Sequence, residues 1–133
     1  MIRVAVDALG GDKAPEEVVA GALAARTHSI QPVLYGPAGL DPYDLPLVTT
    51  TERIAMDEKP AEAVRAKPDS SLVRAVRSVA AGDADAVVSA GNTGAMLAAS
   101  LLELRRLPGV LRPARTWLFN NSPSCCAISR CSL

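Results

Sequence analysis

The chain has 133 residues, 49% of them hydrophobic, and no formal net charge, which suits one domain and is too short for two. Balanced charge excludes a nucleic acid or anionic membrane held by bulk electrostatics, while leaving room for a local basic cluster to bind one small anion. Met1 runs into Ile2-Arg3-Val4-Ala5-Val6-Asp7 without a basic stretch and long apolar core. No apolar run reaches the roughly 20 residues of a spanning helix, so a cytosolic chain is expected.

Ile2 to Asp7 reads as a short buried strand, ended by an acidic residue and a glycine pair. After the loop Ala8 to Ala14, Pro15 suits the first position of a helix, and Glu16 and Glu17 suit its first turn, where the helix dipole favours anions. Val18, Val19, Ala22 and Leu23 then recur at helical spacing and turn one stripe toward a sheet. Pro32 to Gly36 predicts a second strand, Gly36 to Pro46 a loop, and Leu47 to Thr51 a third, weaker strand. A polar connection, Glu52 to Lys59, leads to a short helix opened by Pro60 and closed by Pro68. Asp69-Ser70-Ser71 supplies an N-cap cluster for an amphipathic helix that Gly82 stops. Asp85 to Ala90 predicts another buried strand, and Gly91-Asn92-Thr93-Gly94 turns from it into a helix from Ala95 to about Leu107. Strands alternating with helices predict an α/β fold with a mainly parallel sheet. No internal repeat is present.

After Arg115 the composition changes. The only Trp, the only Phe and all three cysteines lie here, and no period of two or 3.6 continues. The sequence therefore divides into 1–115, part of one α/β domain, and 116–133, a tail expected to be disordered. Cys125, Cys126 and Cys131 lack metal-ligand spacing, and a disulfide framework does not fit a cytosolic chain, so no metal and no role for these thiols is expected.

Three constellations carry candidate chemistry. The first is Ser89-Ala90-Gly91-Asn92-Thr93-Gly94 between a strand and a helix. Ligands of open α/β sheets bind beyond the carboxyl ends of the strands, glycines let backbone N–H groups approach, and a helix start favours an anion. A turn that needs glycine for geometry alone would look the same. The second is Asp7-Ala8-Leu9-Gly10-Gly11-Asp12, which matches neither the dinucleotide fingerprint nor a Walker loop. Its glycines suit close passage of a phosphate or a pantetheine-like chain, though its carboxylates equally suit capping of the loop and helix. The third pairs Met56-Asp57-Glu58-Lys59-Pro60 with Lys67-Pro68-Asp69-Ser70-Ser71. Two of the chain's three lysines stand here beside helix starts, where they could reinforce an anion site or form a solvated charged face. A G-x-S-x-G elbow is absent and His28 has no evident partner, so covalent serine catalysis is unsupported.

Together, DALGGD at 7–12, MDEKP at 56–60, KPDSS at 67–71 and SAGNTGA at 89–95 resemble the fatty acyl-ACP:phosphate acyltransferases, in that family's order, from Ile2 to about Ala114. Lys67-Pro68 departs from a more usual basic pair, and the stretch after Arg115 resembles nothing in the family. The resemblance implies an incomplete α/β/α sandwich of the isopropylmalate-dehydrogenase and phosphotransacetylase type. It implies a homodimeric cytoplasmic enzyme, loosely associated with the inner face of the membrane and without an organic cofactor. Its partners would be acyl carrier protein and inorganic phosphate, and its product acyl phosphate for phospholipid synthesis. On this basis Asp7, Lys59 and Asn92 are the expected catalytic residues. Gly10, Gly11, Asp12, Lys67, Ser70, Ser71, Gly91, Thr93 and Gly94 are the expected substrate-binding ones.

Phosphate is itself the nucleophile in such a reaction, so proximity would supply about 7–11 kcal/mol and oxyanion donors about 3–4 kcal/mol. Asn92→Ala is expected to cut turnover while leaving the fold intact. Two other readings stand beside this one: a truncated or frameshifted remnant without catalysis, and a phosphotransacetylase-like enzyme acting on coenzyme A thioesters.

Overall fold

The computed structural model describes residues 1–106 and 108–109, together with the backbone of 126–129. Four parallel strands form its centre: β1 (Ile2–Asp7), β2 (Ile30–Gly36), β3 (Leu47–Thr49) and β4 (Ala86–Ser89). The helices are α1 (Glu16–Ala25), α2 (Pro60–Ala66), α3 (Ser71–Ala81) and α4 (Thr93–Glu103). A further strand, β5 (Cys126–Ser129), lies antiparallel to β4, giving the order β3-β2-β1-β4-β5. The sequence predicts no element in 116–133; the backbone of 126–129 is a strand, and the rest of that stretch lies outside the described residues.

Alternation along β1 divides the core between two faces. Val6 packs with Val19, Ala22, Leu34 and Leu45 on the α1 side. Ala5 points the other way and joins Val73, Val76, Val79, Val87, Met96 and Ala99 beneath α3 and α4. Helices thus cover both faces, which is the sandwich expected. The chain leaves β1 toward β2 on one side and returns at β4 on the other, so the strand order reverses between β1 and β4.

Element boundaries follow local hydrogen bonding. Pro15 takes the N-cap position and α1 starts at Glu16. The third strand stops at Thr49 rather than Thr51, because the Thr51 amide and hydroxyl bond Asp69 Oδ2 at 2.9 and 2.6 Å instead of continuing the ladder. Ser70 caps α3 through its side chain, and Gly82 ends it in the left-handed conformation, φ 85°. Asn92 caps α4, which therefore begins at Thr93, two residues before the expected start.

Candidate functional site

Strand β1 ends on Asp7 and the neighbouring β4 on Ser89, so both side chains sit at the carboxyl edge where the strand order reverses. That is where open α/β sheets build ligand crevices. Asp7 is buried, and three donors converge on it. The Ser71 hydroxyl donates to Oδ1 at 2.5 Å, the Ser89 hydroxyl to Oδ2 at 2.7 Å, and the Leu9 amide to Oδ1 at 3.2 Å. Ser89 Oγ in turn accepts the Gly91 amide at 3.1 Å. One carboxyl group therefore ties together the end of β1, the start of α3 and the turn after β4. Burial pushes the Asp7 carboxyl above its ordinary value. The Ser71 and Ser89 hydroxyls, the Leu9 amide and the nearby charge of Arg53 pull in the opposite direction.

Glycines close over this carboxyl. A Cβ at Gly10 would lie 2.7 Å from Asp7 Oδ2 and 2.8 Å from both Gly91 N and Ser89 Oγ; a Cβ at Gly91 would lie 3.1 Å from Gly10 Cα. The two loops are in backbone contact, and side chains on either would separate them. Gly11 adopts φ 107°, which L side chains rarely take, and rests against Ala90. At the start of α4 a Cβ on Gly94 would meet Pro60 Cγ at 2.5 Å, so α2 and α4 approach closely at the same edge.

The sequence offers the Asn92 amide to a bound anion. In the structure the chain itself engages it. Nδ2 donates to the carbonyls of Ala55, Glu58 and Met56 at 3.1, 3.0 and 3.4 Å, and Oδ1 accepts the Ala95 amide at 3.0 Å. Asn92 thus fastens the loop 55–58 to the start of α4. Lys67 is likewise engaged: Nζ meets Glu58 Oε1 at 2.6 Å and the Arg53 carbonyl at 2.9 Å. Glu58 also accepts the Ala55 amide at 2.7 Å, and that bond and Lys67 hold its carboxyl below its ordinary value.

The remaining expected residues divide between the crevice and its surroundings. Lys59 is 80% exposed and, among the described residues, reaches only Glu62, at 3.5 Å. Ser70 is fully buried as the cap of α3, Thr93 is half-buried at the first position of α4, and Asp12 is exposed beyond Gly11. The structure therefore brings Asp7, Gly10, Ser71 and Gly91 together, with Asn92, Gly94 and the loop leading to Lys59 alongside. Two residues of the cluster escape assignment from sequence. Ser89 stands inside the SAGNTGA motif, and only its strand-end position hints at its contact with Asp7. Arg53 lies in no motif. No described helix is long and apolar enough to cross a membrane.

The family model described as "Fatty acid synthesis protein" matches residues 2–123, reaching past the boundary at 115 that composition suggests. A phosphate acyltransferase of Desulfitobacterium hafniense (strain Y51) is 50% identical over 124 residues, covering 86% of this chain and 37% of that protein. One from Pseudomonas savastanoi pv. phaseolicola is 46% identical, covering 84% and 36%, and one from Endomicrobium trichonymphae is 43% identical, covering 95% and 42%. The chain thus spans about two-fifths or less of the length of these curated relatives. Matched along most of its length, the chain belongs to the fatty acid synthesis protein family.

Proposed function

We propose that this chain forms the phosphate-holding end of an acyltransferase that moves a fatty acyl group from acyl carrier protein to inorganic phosphate. A phosphate oxygen attacks the thioester carbonyl, the C–O bond forms, the C–S bond breaks, and the thiol leaves with the proton that hydrogen phosphate gives up. The product, acyl phosphate, feeds phospholipid synthesis. The working enzyme in this reading is a cytoplasmic homodimer that touches the inner membrane face only loosely.

The observation that carries the reading is the meeting of the Gly10 and Gly91 backbones above Asp7, at the reversal of strand order, in a chain whose relatives are named phosphate acyltransferases. Backbone amides of Gly11, Thr93 and Gly94 line the anion, Gly10 and Gly91, whose own amides bond the Asp7 carbonyl and Ser89 Oγ, let the two loops close beside it, and Lys59 approaches from its loop. Asp7, Ser70, Ser71, Lys67 and Asn92 hold these groups in place, and Asp12 borders the entrance. Donors fixed in advance stabilise developing charge without reorganising, which is where such a site gains rate.

The test is a chimera in which residues 1–115 replace the matching part of the D. hafniense enzyme. Hydroxylamine trapping should report acyl phosphate formed from acyl carrier protein thioester, in preference to the coenzyme A thioester. A folded chimera that makes none refutes the reading, and a preference for coenzyme A moves it to phosphotransacetylase-like chemistry.

A further inference from the structure

An ion pair brackets helix α2 from end to end. Lys67 is the C-cap of α2, yet its Nζ reaches back to Glu58 Oε1 at 2.6 Å, just ahead of the helix, and to the Arg53 carbonyl at 2.9 Å. The same Glu58 oxygen accepts the Ala55 amide at 2.7 Å, and the Glu58 carbonyl accepts Asn92 Nδ2 at 3.0 Å. One residue is therefore bound through its carboxylate to its own loop and to the end of α2, and through its backbone to the cap of α4. Lys59 follows as the N-cap of α2, and Pro60 then packs on Gly94, where a Cβ would lie 2.5 Å from Pro60 Cγ. The backbone of Lys59 thus stands between two contacts with the start of α4. Asp69 is also held by several donors, but its partners are Thr51 and Arg74, on the exit of β3 and on α3.

We infer that Glu58 is a positioning residue for phosphate binding: with Lys67 as its counter-charge, it sets the loop that carries Lys59 against the start of α4. The inference rests on the phosphate-holding reading above and goes beyond it in giving a carboxylate a part in binding an anion. Lys67 is a compact charge on a flexible stem, the kind of side chain that could itself hold phosphate. The two roles for Lys67 predict opposite effects of removing Glu58. Were Lys67 a ligand, Glu58 would compete with phosphate for it, and loss of the carboxylate would tighten binding. Loss of a nearby negative charge would favour an anion in any case. If the pair positions the loop, the same loss weakens binding against that electrostatic trend.

The experiment titrates the full chain, labelled with nitrogen-15, with inorganic phosphate while the amide signals of Gly11, Thr93 and Gly94 are followed. The parent chain should show saturable shifts. Glu58→Gln keeps an acceptor for the Ala55 amide but loses the ion pair, and should weaken affinity by about fivefold, within the range of coupling between residues in contact. Lys67→Met should lose as much, Lys67→Arg should recover most of it, and the double variant Glu58→Gln, Lys67→Met should lose no more than either alone. Glu103→Gln breaks the ion pair with Arg77, away from this loop, and should leave affinity unchanged. Tighter binding in Glu58→Gln makes Lys67 a ligand and overturns the inference; unchanged binding overturns it and leaves the phosphate site standing. Additive losses in the double variant, or an equal loss in Glu103→Gln, also overturn it. A collapsed spectrum in Glu58→Gln and Lys67→Met would show that the pair holds the whole fold, which overturns it as well. Absence of saturable shifts in the parent chain removes the phosphate site and the inference together.

Discussion

Replacing Asn92 with alanine separates a ligand-binding amide from one that holds the chain together. The side chain is only 6% exposed and makes bonds from both its oxygen and its nitrogen. Losing the cap on α4 costs about 1 kcal/mol. The carbonyls of Ala55 and Glu58 each lose a donor, at about 0.5–1.5 kcal/mol apiece. Asn92→Ala should therefore lower stability by about 2–4 kcal/mol, in place of the intact fold expected from sequence. Asn92→Ser keeps an acceptor for Ala95 and should recover only the cap, about 1 kcal/mol. Asn92→Asp keeps the same acceptor but turns a negative oxygen toward the loop carbonyls, so it should remain as destabilised as the alanine variant. Urea denaturation measures all three, with the slope checked for constancy so that midpoints report stability alone. An alanine variant within about 0.5 kcal/mol of the parent, the range of an ordinary surface change, would refute the claim that Asn92 fastens loop 55–58 to α4.

Asp7→Asn should change how stability depends on pH. Burial raises the folded-state value above the ordinary 3.8, so between the two values the folded chain holds more protons than the unfolded one. The contribution of Asp7 is therefore full below about 3.8 and declines as pH rises through the raised folded value; the parent should lose ground to Asp7→Asn across that window in paired urea melts, and a constant difference would refute the assignment. Glu58 and Asp69 are shifted the other way and contribute stability that is lost as pH falls, which is why the paired comparison is needed. Gly10→Ala forces a methyl within 2.8 Å of Gly91 N and Ser89 Oγ and should lower the thermal midpoint, at a cost of about 1–3 kcal/mol. Gly39→Ala, with nothing within 4 Å of the added methyl, serves as the control; equal midpoints in the two variants would show that the loops do not meet as described.

Much of the fold was legible because the chain obeys simple periods. Ile2–Asp7 matches its predicted bounds, and Ser70 and Gly82 mark the ends of α3 as their chemistry requires. The glycines at 10, 11, 91 and 94, read in sequence as room for a ligand, stand where other parts of the chain come close. Side-chain partners were not legible in the same way. Asn92 reads as a free donor in sequence, and only the folding of residues 55–58 against α4 reveals its bonds. Lys67 looks available until Glu58, nine positions earlier, turns toward it. Ser89 gains meaning from Asp7, a neighbour far away along the chain, which no local spacing records. The strand at 126–129 follows no predicted period, and its pairing to β4 supplies the order that its composition does not announce.

The central position of β1 bears on how this protein reaches its native state. Asp7 meets Ser71 and Ser89, which are 64 and 82 positions away, so its hydroxyl contacts require closure of two large loops. Such distant parallel pairings form slowly compared with neighbouring turns. The crevice is therefore expected to be among the last regions assembled during refolding. A spectroscopic label beside Asp7 would then act as a clock for completed folding, lagging behind any signal from helix formation.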